Sequence, residues 1–474
     1  MLFNSPEYLV FFVLVFGVSW ALRGFPSLRI WVLLLASYFF YASNNSWLIA
    51  LILVSTQIDF WVAKGIEDSD DPRRRRRLLL VSVCANLGLL GFFKYFNFFV
   101  ETGVALAGAV GAEVDYTPLK ILLPVGISFY TFQSMSYTID VYRGELRAER
   151  SWSRFAFYVA FFPQLVAGPI MRAQEFMPQI PRRPTLPLVD FERAVAMIGR
   201  GLLKKMVLAD YFLAPYADLA FDHPEQVGCL AAWLGLYAFT FQIYFDFSGY
   251  TDIAIGCSRL LGYHLPDNFK LPYVAVSFSD FWRRWHISLS SWLRDYLYIP
   301  LGGNRMPSEA GIYRNLMLTM LLGGLWHGAA WHFVLWGALH GLYLAIERRW
   351  GGPRDARDFA DRGPLRLFGR RLLIFHAVVL TWLVFRAQDM PHLIDLCRVL
   401  LGGGEQETVL RGGMLLCALV VVGSFVAQLI GAAYTPVRGF LRLPLPARAF
   451  VYSALVGAIA VFNKGAQPFI YFQF

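Results

Sequence analysis

The stretch GGLWHGAAWHFVLWGALHG, residues 323–341, places His327, His332 and His340 inside an otherwise apolar run, 316–346, with no carboxylate near them in sequence. Burial disfavours the charged form of imidazole, so a histidine kept from water stays available as a base, and a base in a dry channel can take the proton of a hydroxyl. Gly323, Gly324 and Gly328 let the backbone break and a ligand approach closely, and Trp326 and Trp331 can wall a pocket. The competing reading is a neutral imidazole satisfied by a carbonyl or hydroxyl inside a helix bundle. His327 is the candidate for chemistry. His332 lies five residues further on, about 140° around a continuous helix, so the two do not share a metal. His332 and His340 are assigned to packing or interfacial roles.

Two more polar groups interrupt apolar sequence, and ionisable residues at the bilayer centre cost about 2.5–3.5 kcal/mol on insertion scales, which makes each a candidate site. FQIYFDFSGYTDIAIG, residues 241–256, carries Gln242, Asp246, Ser248, Tyr250 and Asp252. Gln242 with Asp246, and Ser248 with Asp252, are i, i+4 pairs able to share a helix face. They would orient an imidazole, line a substrate path, or hydrogen-bond neighbouring helices. SFSDFWRRWHISLSSWLRDYLYIPLGGNR, residues 277–305, holds His286 beside Arg283, Arg284 and Trp285. Its Phe281, Trp282, Trp285, Leu289, Trp292, Leu293 and Tyr296 recur at helical spacing, which predicts an amphipathic helix at the membrane interface. No HExxH, GxSxG, P-loop or GxGxxG occurs, so signatures of a zinc protease, serine hydrolase, NTPase or dinucleotide enzyme are missing. Five cysteines are scattered without paired spacing, so neither a disulfide framework nor a metal site is expected.

The elements that must position these groups are membrane helices. Of the 474 residues 57% are hydrophobic and 16% charged, against about 25% charged in soluble chains. The formal charge of +10 comes from arginines clustered at the ends of apolar runs, where they set topology, so nucleic acid is not implied. The first apolar stretch, 8–22, has no basic leader and no small-residue cleavage site and reads as a retained span. Spans at 8–22, 30–42 and 47–63 precede Arg73 to Arg77, which mark the cytoplasmic side. Counting from there puts Asn44 and Asn45 outside, and Arg23 and Arg29 inside. Spans 78–100 and 119–139 enclose an exterior loop with Glu101, Glu113 and Asp115. The stretch 155–171, FFPQLVAGPI included, lies between two basic segments and is read as re-entrant or in-plane, since irregular backbone at membrane depth needs protein or water around it. Spans 196–213 and 229–255 follow. The run 316–346 has cytoplasmic flanks on both sides, the second with Arg348, Arg354, Arg357 and Arg362, so it is read as two half-helices broken at Gly323–Gly324 or Gly328. Spans 372–385, 414–430 and 449–462 bring the total to about ten or eleven crossings of roughly 20 residues each. The expected architecture is an all-α polytopic membrane protein, one domain over 1–474.

The segments LLPVGISFYTFQSMSYTIDVYRG (122–144), FFPQLVAGPI, FDFSGYTDIAIG, FWRRWHISLSSWLRDYLYIPLGGNR and GLWHGAAWHFVLWGALHG together resemble the membrane-bound O-acyltransferase (MBOAT) family, and within it the bacterial alginate O-acetylation subfamily, as does the ending FIYFQF. The resemblance runs from about residue 2 to the C-terminus in matching order. It implies spanning and re-entrant helices around a central channel, with the family's catalytic histidine at His327 and its second histidine at His286. It also implies a cytoplasmic thioester donor, acetyl-CoA or an acyl carrier, with no bound cofactor. It further implies a place in the inner membrane and a periplasmic acetyltransferase partner that finally modifies a secreted polysaccharide. The exterior loops are short, so that transferase is expected to be a separate protein.

On this reading Arg283, Arg284, Arg294 and Arg305 meet the phosphates of the donor carrier, His327 takes the proton or the acyl group, and His286, Trp326 or backbone N–H groups polarise the carbonyl. D-alanyl transfer to a cell-wall polymer is the nearest alternative within the enzyme class. A transporter of acyl groups or solutes is the alternative from another class, and a scaffold of a secretion complex is a third. The topology is checkable by single cysteines on a cysteine-free background: position 113 is expected to react with an impermeant maleimide from outside and position 362 only after permeabilisation. Reaction of position 362 from outside overturns the re-entrant placement of the His327 segment.

Overall fold

A computed structural model describes residues 1–43, 46–165, 168–351, 363–403, 412–433, 440, 443–462, 464–465 and 467–470. The expected exterior turn at Asn44 and Asn45, the arginines Arg354, Arg357 and Arg362, residues 166–167 of FFPQLVAGPI and residues 471–474 of the ending lie outside the described residues. Among the described residues the secondary structure is helical throughout, without strands. The chain divides into two compact units, described separately: residues 3–195 with 254–266, and residues 196–253 with 267–474.

The first unit contains α1 (Pro6–Ala21), α2 (Pro26–Ala42), α3 (Ile49–Glu67), α4 (Pro72–Leu90), α5 (Phe96–Ala109), α6 (Ile127–Arg143) and α7 (Trp152–Ala160). A π-helical turn, Gly91–Tyr95, joins α4 to α5 without a break in direction of the chain. Ser5 and Asp71 stand ahead of Pro6 and Pro72 and accept hydrogen bonds from the backbone of Tyr8 and Arg73. This is the capping chemistry that starts a helix where a proline has no N–H to lose. α3, α4 and α6 meet around the buried carboxylate of Asp59, which accepts hydrogen bonds from Ser82, Ser134 and Asn86, while Ser55 donates to Asn86 at 2.8 Å. On α2, buried Arg29 donates to Ser19 at 3.0 Å and to the Tyr263 hydroxyl at 2.9 Å. Helix α7 has 9 residues. It therefore rises about 14 Å, roughly half of a hydrocarbon core, and a four-residue helix, Phe162–Leu165, follows it.

The second unit contains α8 (Leu188–Leu202) from Ala196 onward, its π-helical continuation Leu203–Leu213, then α9 (Ala214–Asp222) and most of α10 (Cys229–Leu260). After α11 (Phe278–Trp282) and α12 (Ile287–Leu293) come α13 (Glu309–His327) and α14 (Trp331–Arg349), followed by α15 (Pro364–Arg386), α16 (Met390–Arg398), α17 (Gly412–Ala433) and α18 (Leu445–Val461). α13 and α14 fold back on each other as a hairpin. A Cβ on Gly324 would stand 2.2 Å from the Phe333 carbonyl oxygen, and one on Gly337 2.3 Å from that of Met320. Small residues at these positions let the two backbones approach as membrane helices do.

Among the described residues four helical stretches are long and apolar enough to cross a membrane, Ser46–Glu67, Pro72–Ala109, Pro364–Arg386 and Gly413–Ala432, and Pro6–Ala21, Pro26–Ala42 and Leu445–Val461 are shorter apolar helices. Their outward faces are apolar: Leu9, Val10, Val13, Leu14 and Val18 on α1 and Leu415, Leu419, Val422, Val426 and Ile430 on α17 are exposed, as lipid-facing positions are. The protein is an all-α, multi-pass membrane protein.

Three expectations are corrected. The 119–139 span is helical only from Ile127, because Pro118, Pro124 and the left-handed Gly126 keep the preceding residues out of a helix. Of the two positions expected for the break in the run 316–346, Gly328 is the one used and Gly323–Gly324 is not, and the part corrected is the half-helix length. The run breaks at Gly328–Ala330, between two helices of 19 residues each, which are longer than half-helices because they extend into charged residues at both outer ends. The amphipathic helix over 281–296 is in fact two short helices, α11 and α12, separated by a turn at Arg283–His286.

Replacing Gly337 by Ala is expected to destabilise the detergent-purified protein by about 1–3 kcal/mol, the usual cost of overpacking. Gly17→Ala in α1, where nothing lies within 4 Å, is expected to leave the melting temperature unchanged or raise it. Equal melting curves for the two variants would show that the hairpin does not depend on close approach.

Candidate active site

His327 is the last residue of α13. Gly328, in extended backbone at φ −161°, ends that helix, and a Cβ there would fall 2.0 Å from the Phe333 ring, so the turn closes only on glycine. The imidazole is 5% exposed and stands edge-to-face against Trp326 at 5.1 Å, Trp336 at 5.0 Å and Phe385 at 5.3 Å between ring centroids. Such T-shaped packing is the favoured geometry for aromatic neighbours. α14 supplies Trp336 and α15 supplies Phe385.

His286 is wholly buried. Its ring packs on Phe247 of α10 at 4.7 Å and on Trp326 at 5.7 Å. Trp326 is thus in ring contact with both candidate histidines, and the two motifs that sequence separates by forty positions meet on one indole. The other two histidines of the run, His332 and His340, make different contacts, though His340 shares Trp336 with His327. His340 bonds Thr381 through Nε2 at 3.2 Å and packs on Trp282 and Trp336. His332 packs on Phe333 at 4.0 Å. Both take the packing roles expected of them.

A cleft of about 300 Å³ opens beside α11, α12 and α13, lined by Ser279, Arg283, Ile287, Ser290, Arg294 and Thr319 among others. Its lining thus includes two arginines, of which Arg294 is paired with Asp295 at 2.6 Å and 3.1 Å, and is otherwise mostly hydroxyl or apolar. The structure places the neighbouring candidates elsewhere. Arg284 is held by Asp280 at 2.9 Å and by the Lys270 carbonyl, and Trp285 is buried among Phe269, Phe281, Tyr273 and Trp382. Neither of these two lines the cleft. The start of α11 is fixed by Glu347 of α14, whose carboxylate accepts from the backbone N–H of Phe278 and Ser279 and from the Ser279 hydroxyl.

The carboxylates of α10 do not orient an imidazole. Asp252 accepts from Arg200 at 2.6 Å and 2.9 Å and from Lys204 at 2.7 Å. Asp246 pairs with Lys205 at 2.8 Å and accepts from the Ile470 N–H at 2.6 Å. Lys205 also pairs with Asp210 at 2.9 Å and donates to the Pro468 carbonyl at 2.9 Å. These groups join α10 to the π-helical segment 203–213 and to the end of the chain. Gln242 and Ser248 are buried on the same helix. Among the described residues no group of three or more His, Cys, Asp or Glu is placed to hold a metal ion.

Residues 143–385, which contain both histidines and all the α10 carboxylates, match the sequence model of MBOAT, the membrane-bound O-acyltransferase family. The chain belongs to this family. It is an O-acyltransferase, and its similarity to named members extends over its whole length. It is 38% identical over 505 residues to "Probable alginate O-acetylase AlgI" of Pseudomonas putida, covering 100% of both chains, and 39% identical over 515 residues to the protein of that name from Azotobacter vinelandii, again over 100% of both. The peptidoglycan O-acetyltransferase of Helicobacter pylori is 36% identical over 435 residues, or 85% of this chain and 80% of that one.

Sequence reading of this acyltransferase missed Lys204, Lys205 and Asp210. The signal was present, as two adjacent lysines and an aspartate within an expected span, each of which needs a partner at that depth. Asn268 and Glu347 gave no such signal, because a loop asparagine and a helix-end glutamate are ordinary. Lys205→Met leaves Asp246 and Asp210 without their cation, and a loss of about 3–5 kcal/mol is expected for breaking one side of a buried pair. Adding Asp246→Asn to Lys205→Met should recover part of it, as measured by thermal unfolding in detergent. An unchanged melting curve in the single variant would mean the cluster is solvated.

Proposed function

We propose that this O-acyltransferase takes an acetyl group from a cytoplasmic thioester, acetyl-CoA or an acyl carrier, and passes it across the cytoplasmic (inner) membrane toward a secreted polysaccharide of the alginate type, the whole chain 1–474 acting as one catalytic domain. The convergence of His327 and His286 on Trp326, within the segment matched to the family, is the observation that carries this reading. Full-length similarity to alginate O-acetylases supports the acceptor class. The short exterior loops support a separate periplasmic acetyltransferase as the partner that modifies the polymer.

The cleft bearing Arg283 and Arg294 is the site we assign to the donor's carrier, whose phosphates the exposed Arg283 would meet, with Arg294 joining once it exchanges its Asp295 partner for phosphate. His327, enclosed by aromatic groups, accepts the proton of the attacking hydroxyl as the oxygen adds to the thioester carbonyl. Collapse of that adduct breaks the C–S bond. The departing sulfur takes the proton back from the imidazole, and ester and thiol leave as products. His286 supplies an N–H to the carbonyl oxygen as negative charge develops there. Because His286 has no exposed surface, a carbonyl reaches it after a neighbouring side chain moves, and Trp326 is the one in contact with both imidazoles. Gln242, Asp246, Ser248 and Asp252 support this centre from α10 and do not touch the acyl group.

A cell-wall polymer is the second reading for the acceptor, favoured by the similarity to the peptidoglycan O-acetyltransferase over 85% of this chain. Both readings are separated by measuring O-acetyl ester, by NMR, in secreted polysaccharide and in purified cell wall. His327→Ala at equal membrane abundance is expected to abolish ester in the first. Ester retained at wild-type level at equal abundance would remove His327 from the chemistry, and loss confined to the cell wall would establish the second acceptor.

A further inference from the structure

His286 and Leu271 are the two non-glycine residues with positive φ among the described residues, at 44° and 49°. An L-residue rarely adopts this conformation, and it persists only where its surroundings enforce it. What enforces it at His286 is a single short segment. The Asn268 carbonyl accepts from the Ile287 N–H at 3.0 Å, and its side-chain Oδ1 accepts from the Ser288 N–H at 3.1 Å and from the Ser288 hydroxyl at 2.9 Å. On the other side of the turn, the Lys270 N–H donates to the Arg284 carbonyl at 2.9 Å. The backbone is thus clamped two residues before His286 and one and two residues after it. Between those clamps lies Phe269, which packs at 5.0 Å on Phe247, the ring that faces the His286 imidazole at 4.7 Å. Residues 268–270 therefore fix both the main chain of His286 and one wall of its side chain.

We infer that Asn268 is a positioning residue of the acyl transfer, holding His286 in the left-handed turn that aims its imidazole at Trp326 and the His327 centre. The inference rests on the reading that His286 takes part in the transfer. Asn268 is buried, and its Nδ2 has no hydrogen-bond partner among the described residues, so its role is carried by the acceptor oxygens alone. Aspartate keeps the acceptor and loses no bond, and its charge faces the N–H groups that open α12, where an anion is favoured. Leucine keeps the size and loses the acceptor.

The test follows the initial rate at which O-acetyl ester appears, after induction, on whichever polymer loses ester when the chain is deleted, normalised to the amount of the full-length protein in membranes. Asn268→Leu is expected to accumulate normally and to slow the rate about 100-fold, the scale of a misplaced catalytic group, whereas Asn268→Asp stays within about threefold of wild type because the acceptor is kept. Ser288→Ala, which removes only the hydroxyl arm, is expected to slow the rate by about fivefold, and it decides the matter if the leucine variant fails to accumulate. Wild-type rates in both Asn268→Leu and Ser288→Ala would overturn the inference, as would equal losses in Asn268→Asp and Asn268→Leu. His286→Ala is run beside them: a full rate there defeats the underlying reading of His286, and a lost rate there with full rates in the other variants defeats the positioning role alone.

Discussion

The architecture around His327 depends on two helix backbones lying closer together than side chains normally permit. Gly324, Gly337 and Gly341 sit where a methyl group would run into the opposite helix, at Phe333, Met320 and Met317 respectively. In lipid there is no hydrophobic force to drive helices together, so contact depends on such close fit. Once the hairpin is closed, the turn at Gly328 leaves His327 at its tip, and Trp336 is brought from the returning helix to wall the imidazole. The aromatic rings of α15 complete the enclosure. Bulk at the hairpin seam would therefore be felt at the imidazole.

Polar groups buried in this protein follow two different rules. Asp59 is surrounded by hydroxyl and amide donors, with no cation among its bonded partners, whereas Asp246 and Asp252 face Lys205, Lys204 and Arg200. The first arrangement ties three helices of one unit together through uncharged donors gathered on one acidic side chain, so that its burial is offset by hydrogen bonds. Within the second, the buried Lys205, Asp210 and Asp246 need one another, since removing one leaves a charge shielded from water. It also fixes the end of the chain, because Pro468 and Ile470 bond directly to Lys205 and Asp246.

Hydropathy and arginine placement made most helices legible to within a few residues, because an element that must satisfy its own backbone in lipid announces itself by a long apolar run. His327 and His286 stood out for the same reason, as titratable groups where such groups are costly. What sequence did not reveal were departures from a single period. The aromatic spacing over 281–296 reads as one helix, yet Asn268, distant by eighteen positions, pulls the chain out of helical geometry at His286. Trp285 fits the interfacial stripe and is instead central to a buried aromatic cluster. Such outcomes are set by bonds between separate segments, which no local pattern encodes. The break at Gly328 was one of two positions the glycines allowed, and the Phe333 ring decided between them.

The π-helical segment 203–213 has a consequence for how this chain can change. Its wider turn lets the neighbouring residues Lys204 and Lys205 both engage α10, at Asp252 and Asp246. A π-helical stretch holds its hydrogen bonds at i→i+5, so loss of one residue there would tighten it toward α geometry. In α geometry adjacent residues point about 100° apart, so Lys204 and Lys205 would no longer both face α10 and one of the pairs with Asp252 and Asp246 would be lost. Insertions and deletions in this stretch should consequently be far rarer among viable descendants of the sequence than substitutions, and the eleven-residue segment acts as a length ruler between α8 and α9.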